Sequence, residues 1–386
     1  MHVVVLSIHP LWDNRIYKHI STLLKNGYDV SYINASSYPN SNFEGLSSES
    51  FSLIHSLQLS NYNSHPLLYL KVLFWFLISL LNVKKGQIYH IHDLLLLPLV
   101  PLIKLRKGLV VFDVHEYYEH KTLQGIKKSY ISLISKKLFY PLIDGFVLVA
   151  PEMLNLAKFI APVKIIPNYQ LKTYYDSIQI NRDKEETAIV YFGPLNTARC
   201  LELMLYIIEY VLEKHDQVSA CLGGPIEDSL VCEAQKIKQL TDKYSGRFNY
   251  LGVVPYSEVA RITKESDIGL WFLNKYMGYQ VSPNKVYEYF MCGLAVFGLK
   301  GNSMSTYIED KGAGISFDLN TDSYEDIAKT VLSVINNQQR LEAMKKNSKK
   351  IGERYNWELV EHLYAELYED IIRNKTKRAD SYFRKQ

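Results

Sequence analysis

The chain has 386 residues, of which 47% are hydrophobic and 22% are charged, and its formal net charge is +4. This composition excludes a disordered or fibrous protein, and the length predicts two globular domains. The small charge balance excludes the strong basic surface of a nucleic-acid-binding protein. Residues 1–180 carry 17 basic and 11 acidic side chains, an excess that favours an anionic membrane surface or a phosphorylated ligand at the first domain.

The first predicted elements alternate between strand and helix. His2–Ile8 is a continuous apolar run, which is typical of a strand buried on both faces. Apolar residues at helical spacing between Ile16 and Leu24 predict a helix, and Asp29–Ile33 predicts the next strand. The chain's opening lacks the basic start and cleavage site of a signal peptide, so we expect a cytoplasmic protein. Further strands are predicted at Gln87–Ile91, Gly108–Phe112, Phe146–Val149 and Val163–Ile166.

Pro66–Leu81 is almost entirely apolar and predicts a helix. It is shorter than the roughly 20 residues that span a bilayer, and it contains Lys71. We expect a buried helix or one that rests on a membrane. Tyr130–Ser135 is a second apolar stretch, flanked by the pairs Lys127-Lys128 and Lys136-Lys137. It predicts either a core helix with solvated lysines or a second contact with anionic lipid.

The alternation breaks after Pro167, where residues 168–186 are polar and aperiodic and predict a linker. Strands then recur at Ala188–Phe192, Val218–Leu222, Asn249–Leu251, Ile268–Phe272 and Ala295–Leu299, with helices between them. The pattern predicts an α/β protein with two doubly wound, Rossmann-like parallel-sheet domains facing a central cleft, residues 1–167 and 187–355. A helix and basic tail at 356–386 should pack back toward the first domain. Ligands in such sheets bind beyond the carboxyl ends of the strands.

Four cysteines fall in the second half, and none forms a CxxC pair or shows zinc spacing. We therefore expect buried thiols in a reducing compartment. His90 and His92 lie two residues apart on a strand with no third ligand in view, so no metal site is expected. The sequence contains no GxGxxG and no GxxxxGK[ST], which counts against a dinucleotide-dependent enzyme and a P-loop protein.

Two candidate segments of the first domain follow predicted strands. The loop from His9 to Arg15 precedes a helix, where an anion could bind, although Asp13 or Asn14 could simply cap that helix. His115 lies at the end of an apolar strand, where a ligand is expected, or is a structural histidine.

In the second domain, Arg199 follows the Gly193 turn and could reach a phosphate, or is an exposed helix arginine. The segment Gln280–Gly293 is the strongest candidate: Ser282 can cap a helix that Pro283 begins and Gly293 ends. The first turn of that helix carries Lys285, which suits a diphosphate, and Glu288 follows nearly a turn later, which suits ribose hydroxyls. The alternative is a capped surface helix with a solvated glutamate.

These segments together resemble the retaining glycosyltransferases of family 4, with the two-domain GT-B fold, of the bacterial surface-polysaccharide type. The resemblance rests on their order along nearly the whole chain. The matching segments are His9-Pro10, Asp13–Ile16, Gly27–Val30, His90–Asp93, Asp113–Glu116, Ile166–Asn168, Gly193–Leu195 with Arg199, Gly223-Gly224, and Ser282–Tyr289 ending at Gly293.

The resemblance implies roles for individual residues. Glu288 corresponds to the second glutamate of the E-x7-E motif, which binds the donor ribose, and Arg199 faces the donor diphosphate with help from Lys285. His115 would lie beside the donor sugar. The implied catalytic residues are His115, Arg199, Lys285 and Glu288. The implied donor-binding residues are Gly193, Arg199, Gln280, Ser282, Asn284, Lys285 and Glu288. The implied acceptor-side residues are His9, Asp13, Arg15, His92 and Glu116.

Two positions depart from the family pattern. Gln280 stands where the first glutamate of E-x7-E belongs, and Pro194 replaces the arginine that usually follows the glycine. A glutamine can still hydrogen-bond sugar hydroxyls, but it cannot act as a carboxylate. The lost arginine charge leaves Arg199 and Lys285 to neutralise the diphosphate.

The resemblance implies a retaining hexosyltransferase that uses a nucleotide-sugar, UDP-linked by default with GDP as the alternative. The acceptor would be a glycan, carried on a lipid, in capsule, O-antigen or exopolysaccharide assembly. The sequence contains no Asp-x-Asp, so neither metal nor other cofactor is expected. We expect a cytoplasmic protein, or one peripheral on the inner face of the cell membrane, without nucleic-acid partners. The alternatives are a nucleotide-sugar 2-epimerase of the same architecture and a non-catalytic glycosyltransferase-like partner protein.

Overall fold

The structure is a computed structural model that describes residues 1–11, 13–36, 51, 53–58, 66–115, 122–123, 126–180, 186–274, 282–301 and 303–383. The chain divides into two compact units. Unit 1 contains Met1–Asn168 and Glu358–Gln386, and unit 2 contains Tyr169–Trp357. Each unit is built on a parallel sheet, as the alternation of strands and helices predicted.

The strands of unit 1 are β1 (His2–Ser7), β2 (Asp29–Ser36), β3 (Leu53–Gln58), β4 (Ile88–Ile91), β5 (Leu109–Val114), β6 (Thr122–Leu123), β7 (Ile126–Lys127), β8 (Gly145–Leu148) and β9 (Val163–Ile165). Seven of the described strands form a parallel sheet in the order β3-β2-β1-β4-β5-β8-β9. The short strands β6 and β7 form an antiparallel hairpin. The strands β1, β4, β5 and β8 are buried along their whole length because helices cover both faces.

The helices along this part of the chain are α1 (Asn14–Lys25), α2 (Pro66–Asn82), α3 (Val100–Leu105) and α4 (Lys128–Leu138). Short 3-10 turns lie at Leu94–Leu99, Tyr140–Leu142 and Pro151–Leu156. The helix predicted at Pro66–Leu81 is thus confirmed. No described helix is both long enough and apolar enough to cross a membrane.

The strands of unit 2 are β10 (Thr187–Phe192), β11 (Val218–Gly223), β12 (Phe248–Tyr250), β13 (Ile268–Trp271), β14 (Ala295–Leu299) and β15 (Gly314–Phe317). They form a parallel sheet in the order β12-β11-β10-β13-β14-β15. In both units the first strand lies between two strands whose connections run in opposite directions. Such a switch point is where doubly wound sheets bind ligands.

The helices of unit 2 are α5 (Lys172–Ser177), α6 (Leu201–Lys214), α7 (Val231–Lys243), α8 (Tyr256–Lys264), α9 (Asn284–Cys292), α10 (Ser303–Ser305), α11 (Tyr324–Ile335) and α12 (Gln338–Arg354). Short turns of other helix types lie at Thr197–Arg199, Thr306–Asp310 and Trp357–Leu359. The Ser323 side chain caps α11 by accepting a hydrogen bond from the Asp326 N–H.

The start of α9 differs by one residue from the prediction. Pro283 occupies the cap position rather than the first helical turn, and its side chain makes no capping hydrogen bond. The predicted end at Gly293 is confirmed: it has a φ of 77°, a left-handed conformation that glycine adopts without a Cβ penalty. Ser282 precedes the cap and is buried.

The segment predicted as a linker, residues 168–186, contains ordered structure over much of its length. Gln170 forms a parallel bridge with Asn356, and α5 follows. The Tyr175 side chain is only 1% exposed. Tyr175 therefore packs in the interior of unit 2, in a cluster with Ala260 and Met291.

After α12 the chain returns to unit 1 as α13 (His362–Phe383). The helix buries Tyr364, Leu367, Tyr368 and Ile371. A Cβ at Gly145 would lie 3.0 Å from Ile371 Cγ2 and 3.1 Å from Leu367 Cδ1. Glycine at this position lets α13 pack closely against β8.

Candidate active site

In unit 1 the carboxyl ends of neighbouring strands bring distant polar residues together. The Asp93 carboxylate, just after β4, accepts hydrogen bonds from the Ser7 hydroxyl at 3.1 Å and the Ile8 N–H at 2.8 Å. His9 Nε2 lies 3.3 Å from the other Asp93 oxygen. Burial alone would raise the pKa of Asp93, but His9 and the hydrogen bonds lower it. Asp93 therefore ties the loop after β1 to the end of β4.

The loop residues implied on the acceptor side take different places. The His9 side chain is 46% exposed, and its carbonyl accepts hydrogen bonds from Tyr32 and Asn34. Asp13 caps α1 by accepting the N–H groups of Arg15 and Ile16, the alternative reading of this loop. Glu116 lies outside the described residues.

Arg15 is buried rather than presented to an acceptor. Its guanidinium donates hydrogen bonds of 3.0 to 3.2 Å to both oxygens of Asp113. It also donates to the Ile166 carbonyl at 2.6 Å and to Asn168 Oδ1 at 3.2 Å. Burial would raise the pKa of Asp113, yet Arg15 beside it holds that pKa well below its usual range. Arg15 thus joins α1 to the ends of β5 and β9.

Four histidines cluster around Asp113: His19, His90, His92 and His115. The first three are fully buried, whereas the His115 side chain is 16% exposed. Burial lowers the pKa of all four imidazoles, which are therefore neutral near pH 7. The cluster contains His92, implied on the acceptor side, and His115, implied beside the donor sugar.

Sequence reasoning missed His19. It lies one helical turn after Arg15 on α1, so both side chains face the strand ends. His19, His90 and His92 offer ligand atoms within 4.8 Å of one another, as do His92, Asp113 and His115. The sequence predicted no metal site because no third ligand was in view beside His90 and His92. The fold brings such a ligand, His19, next to them.

In unit 2 the turn after β11 requires glycine where it packs against the turn after β10. The Gly193 N–H donates to the Gly223 carbonyl at 2.9 Å. Gly224 has a φ of 123°, and a Cβ there would lie 2.0 Å from the Gly193 carbonyl oxygen. The two loops therefore pack backbone against backbone beside the switch point.

Arg199 ends a 3-10 turn that Asn196 caps by accepting the Arg199 N–H at 3.1 Å. The side chain is partly buried and close to Tyr191. Burial raises the pKa of Tyr191 to about 12 even though the nearby Arg199 charge lowers it. Arg199 is thus held at the end of β10, rather than on an exposed helix surface.

Glu288 on α9 is buried, with a side chain only 3% exposed. Its Oε2 accepts a hydrogen bond from Lys285 Nζ at 2.5 Å, and its Oε1 accepts one from the Tyr175 hydroxyl at 2.7 Å. The Tyr175 hydroxyl also lies 2.8 Å from that of Tyr256. Glu288 is therefore not the solvated surface glutamate of the alternative interpretation.

The start of α9 is positioned by the preceding segment. Gln170 Nε2 donates to the Asn284 carbonyl at 3.1 Å. The Asn284 Oδ1 atom is buried and has no hydrogen-bond partner among the described residues. Gln280, the first position of the E-x7-E motif, lies outside the described residues.

Sequence reasoning also missed Tyr175 and Tyr256. Burial, and then the Glu288 charge, raise the pKa of both phenols well above the usual value, so both hydroxyls stay protonated. Tyr175 lies 113 residues from Glu288 in sequence, in a segment whose pattern predicted a linker.

Residues 176–351 match the family model described as Glycosyl transferases group 1. No curated protein matches the chain. Sucrose-phosphate synthase from Thermosynechococcus elongatus is similar with a TM-score of 0.71 and 14% identity, over 97% of this chain and 100% of that one. HepE from Anabaena, solved in complex with UDP, is similar with a TM-score of 0.70 and 11% identity, over 96% and 100%.

A glycosyltransferase from Rickettsia africae is similar with a TM-score of 0.66 and 12% identity, over 97% of this chain and 99% of that one. These likenesses extend over nearly the whole chain and establish its fold. The chain has the two-domain GT-B fold, and its residues 176–351 are similar to the Glycosyl transferases group 1.

Proposed function

We propose that the protein is a retaining glycosyltransferase of family 4, which moves a hexosyl group from a UDP-sugar to a lipid-linked glycan. The observation that carries the proposal is the buried Glu288 carboxylate, which lies within the matched region and is held by Lys285 and Tyr175. A carboxylate held in this way can accept hydrogen bonds from two neighbouring ribose hydroxyls. The UDP complex of the structurally similar HepE supports the choice of nucleotide.

The donor diphosphate needs positive charge. The first N–H groups of α9 have no partner within their helix, and Lys285 stands in its first turn. Arg199 at the end of β10 supplies a second cation. These groups are set before the reaction, so they stabilise charge that develops on the departing UDP. Losing one of them should cost about 3 kcal/mol, or roughly a hundredfold in rate.

The proposed reaction proceeds without a metal ion. The bond between the anomeric carbon and the phosphate oxygen breaks while the acceptor oxygen bonds to the same face of that carbon. The acceptor's hydroxyl proton passes to the departing phosphate oxygen, so the anomeric configuration is retained. Arg199 and Lys285 neutralise the charge that a metal ion would otherwise neutralise.

An apolar stripe on α2 supports a lipid-linked acceptor on the inner face of the membrane. Leu70, Phe74, Ile78 and Leu81 are 39 to 61% exposed, and their spacing places them on one face of the helix. Lys71 beside them and Lys84 and Lys85 beyond the helix are exposed. We call this surface the α2 stripe.

Helix α4 also presents exposed apolar side chains beside a lysine. Leu133, Ile134 and Leu138 are 53 to 60% exposed, and Lys137 is exposed beside them. Both α2 and α4 contact the 3-10 turn Leu94–Leu99. On an anionic membrane, apolar side chains can enter the acyl layer while neighbouring lysines bind the headgroups. The proposed partners are therefore a nucleotide-sugar, a lipid-linked saccharide and anionic lipid.

The donor half of the proposal is tested by thermal shift with UDP-, GDP- and dTDP-sugars. We expect stabilisation by UDP-sugars and its loss in Glu288→Ala. Glu233→Ala removes a partly exposed carboxylate from the first turn of α7 and should retain full binding. Equal binding by the Glu288 and Glu233 variants would overturn the assignment of the ribose site.

Transfer is tested with a lipid-linked acceptor and a UDP-sugar, followed by determination of the anomeric configuration by NMR. Glu288→Ala and Arg199→Ala should each abolish most transfer, and EDTA should leave it intact. Loss of activity on chelation, restored by Mg²⁺ or Mn²⁺, would refute the metal-free route. Conversion of the donor without any acceptor would favour an epimerase instead.

A further inference from the structure

One continuous chain of hydrogen bonds runs through the core of unit 1. His90 Nδ1 lies 2.8 Å from the Tyr368 hydroxyl, which lies 3.0 Å from His19 Nε2. His19 Nδ1 lies 2.9 Å from His92 Nε2, and His92 Nδ1 lies 3.1 Å from His115 Nε2. We call these five side chains the histidine chain. They come from α1, β4, the ends of β4 and β5, and α13.

Both ends of the histidine chain face the same carboxylate. His90 Nε2 lies 3.6 Å from Asp113 Oδ2, and His115 Nδ1 lies 3.6 Å from Asp113 Oδ1. Arg15 binds both oxygens of Asp113, and the Tyr364 hydroxyl donates to Oδ2 at 3.2 Å. The charge of Asp113 is therefore already balanced by Arg15, and no additional cation is needed in the cluster.

Counting hydrogens restricts the arrangement. A neutral imidazole carries one N–H and a phenol carries one O–H, so the five members hold five hydrogens for four hydrogen bonds. If His115 carries its hydrogen on Nε2, it donates to His92 Nδ1, whose hydrogen must then be on Nε2. The same rule passes through His19 and Tyr368 to His90. All four imidazoles then carry the hydrogen on Nε2.

The opposite arrangement follows the same rule. If His115 carries its hydrogen on Nδ1, each imidazole along the chain must do likewise, and Tyr368 donates to His19 instead of His90. Any mixed arrangement places two lone pairs or two hydrogens against each other at one of the buried bonds, or leaves the Tyr368 O–H without an acceptor among the described residues. Such an unsatisfied polar contact is unfavourable in a buried core, so the uniform arrangements are favoured.

We propose that the four histidines take one tautomer as a set, which makes His19, His90 and Tyr368 positioning residues for His115. His115 is the member of the chain with solvent exposure, since the other four side chains are fully buried. The buried chain therefore decides whether His115 Nδ1 is a hydrogen-bond donor or an acceptor.

The surroundings favour neutral imidazoles over a bound metal ion. Arg15, Asp113 and Tyr364 face the cluster, and Asp93 and His9 lie near His115. A metal held by His19, His90 and His92 would need a lone pair from each. Because both nitrogens of His19 lie within hydrogen-bond distance of a partner, the metal would break one of those hydrogen bonds.

The tautomers are measured on the full chain labelled with ¹⁵N-histidine, using two-bond ¹H–¹⁵N correlation spectra. Each neutral tautomer gives a distinct pattern of its two ring nitrogens. We expect the four cluster histidines to share one pattern, whether Nδ1–H or Nε2–H. Two different tautomers among the four, or one equivalent of metal in the purified protein, would overturn the proposal.

Tyr368→Phe removes the hydroxyl that links His90 to His19. It should move the His115 ring resonances, two rings away, and free the His90 tautomer from that of the other three. Tyr89→Phe removes another buried hydroxyl of unit 1, one that accepts the Gly86 N–H at 3.1 Å and lies outside the chain. It should leave His115 unchanged. Unchanged His115 resonances in Tyr368→Phe would refute the coupling. Neither spectrum requires a sugar donor or a glycan acceptor to be present.

Discussion

The Tyr175 hydroxyl donates a 2.7 Å hydrogen bond to Glu288 Oε1, so α5 holds the carboxylate that α9 carries. Lys285 occupies the other oxygen from the same helix. A buried carboxylate costs free energy unless such partners satisfy it. Tyr175 and Lys285 together therefore allow a charged group to remain in the core of unit 2.

Tyr175→Phe should raise KM for the UDP-sugar and should also lower the stability of the fold. The variant leaves one oxygen of a buried carboxylate without its donor, which should cost about 1–3 kcal/mol of stability. We expect KM for the UDP-sugar to rise about tenfold, because the carboxylate is no longer held. Steady-state kinetics and chemical denaturation measure the two effects. Tyr206→Phe, on the surface of α6, is the control that should change neither. An unaltered KM in Tyr175→Phe would contradict the positioning role.

Arg15→Met should destabilise unit 1 strongly. Its removal leaves the Asp113 carboxylate buried without its cation, and breaking a buried ion pair in this way costs about 3–5 kcal/mol. The loss should appear as a lower denaturant midpoint. Arg15→Met combined with Asp113→Asn should recover part of it, since no unpaired charge remains. If the double variant is no more stable than the single one, the ion pair is not the source of the loss.

Stability should fall as the pH drops below about 6.5. Burial lowers the pKa of His19, His90, His92 and His115 in the folded state, so these imidazoles bind protons more readily when unfolded. Protons therefore favour the unfolded chain between the folded pKa and the unfolded value near 6.5. Each histidine contributes up to about 1.4 kcal/mol per pH unit in that window.

This pH dependence is measured by urea denaturation at several pH values between 5 and 8. His362→Gln, which replaces an exposed histidine on α13, should leave the slope unchanged. His19→Asn should reduce the slope. Stability that is flat from pH 7 to pH 5 would show that the cluster is not held neutral.

Phe74→Asp should weaken binding to anionic vesicles. Phe74 is 61% exposed at the middle of the α2 stripe, and burying a phenylalanine in an apolar layer stabilises binding by about 1.5–3 kcal/mol. We expect at least a tenfold fall in the bound fraction during co-sedimentation. Val253→Asp changes an apolar residue of unit 2 that is 77% exposed, and this variant should bind as the wild type does. Failure of the wild type to bind either anionic or neutral vesicles would end the membrane proposal.

The element order was predictable because strands buried on both faces must be apolar throughout. His2–Ser7 and Thr187–Phe192 are such strands, and their runs stand out in the sequence. Within the two parallel sheets, the strands that sequence reasoning did not predict are Leu53–Gln58 and Gly314–Phe317, and both lie at sheet edges. An edge strand pairs on one side only and has fewer neighbours that require apolar side chains.

The sequence predicted only those parts of the site whose residues lie close together along the chain. Lys285 and Glu288 lie within one turn of α9, so helical spacing alone placed them together. Tyr175 reaches Glu288 from 113 residues away, and Tyr368 reaches His19 from 349 residues away. The hydrophobic periodicity of a single helix or strand does not predict contacts between residues so far apart in sequence.

The sequence by itself determined the alternation of strands and helices, the α9 segment and the resemblance to a glycosyltransferase family. These follow from hydrophobic spacing and from residues that are close along the chain. Only the tertiary structure decided that Arg15 pairs with Asp113 and that four histidines share one buried chain. Parallel sheets gather the ends of strands that are distant in sequence, and the partners that these ends meet depend on strand order, which spacing along the chain does not encode.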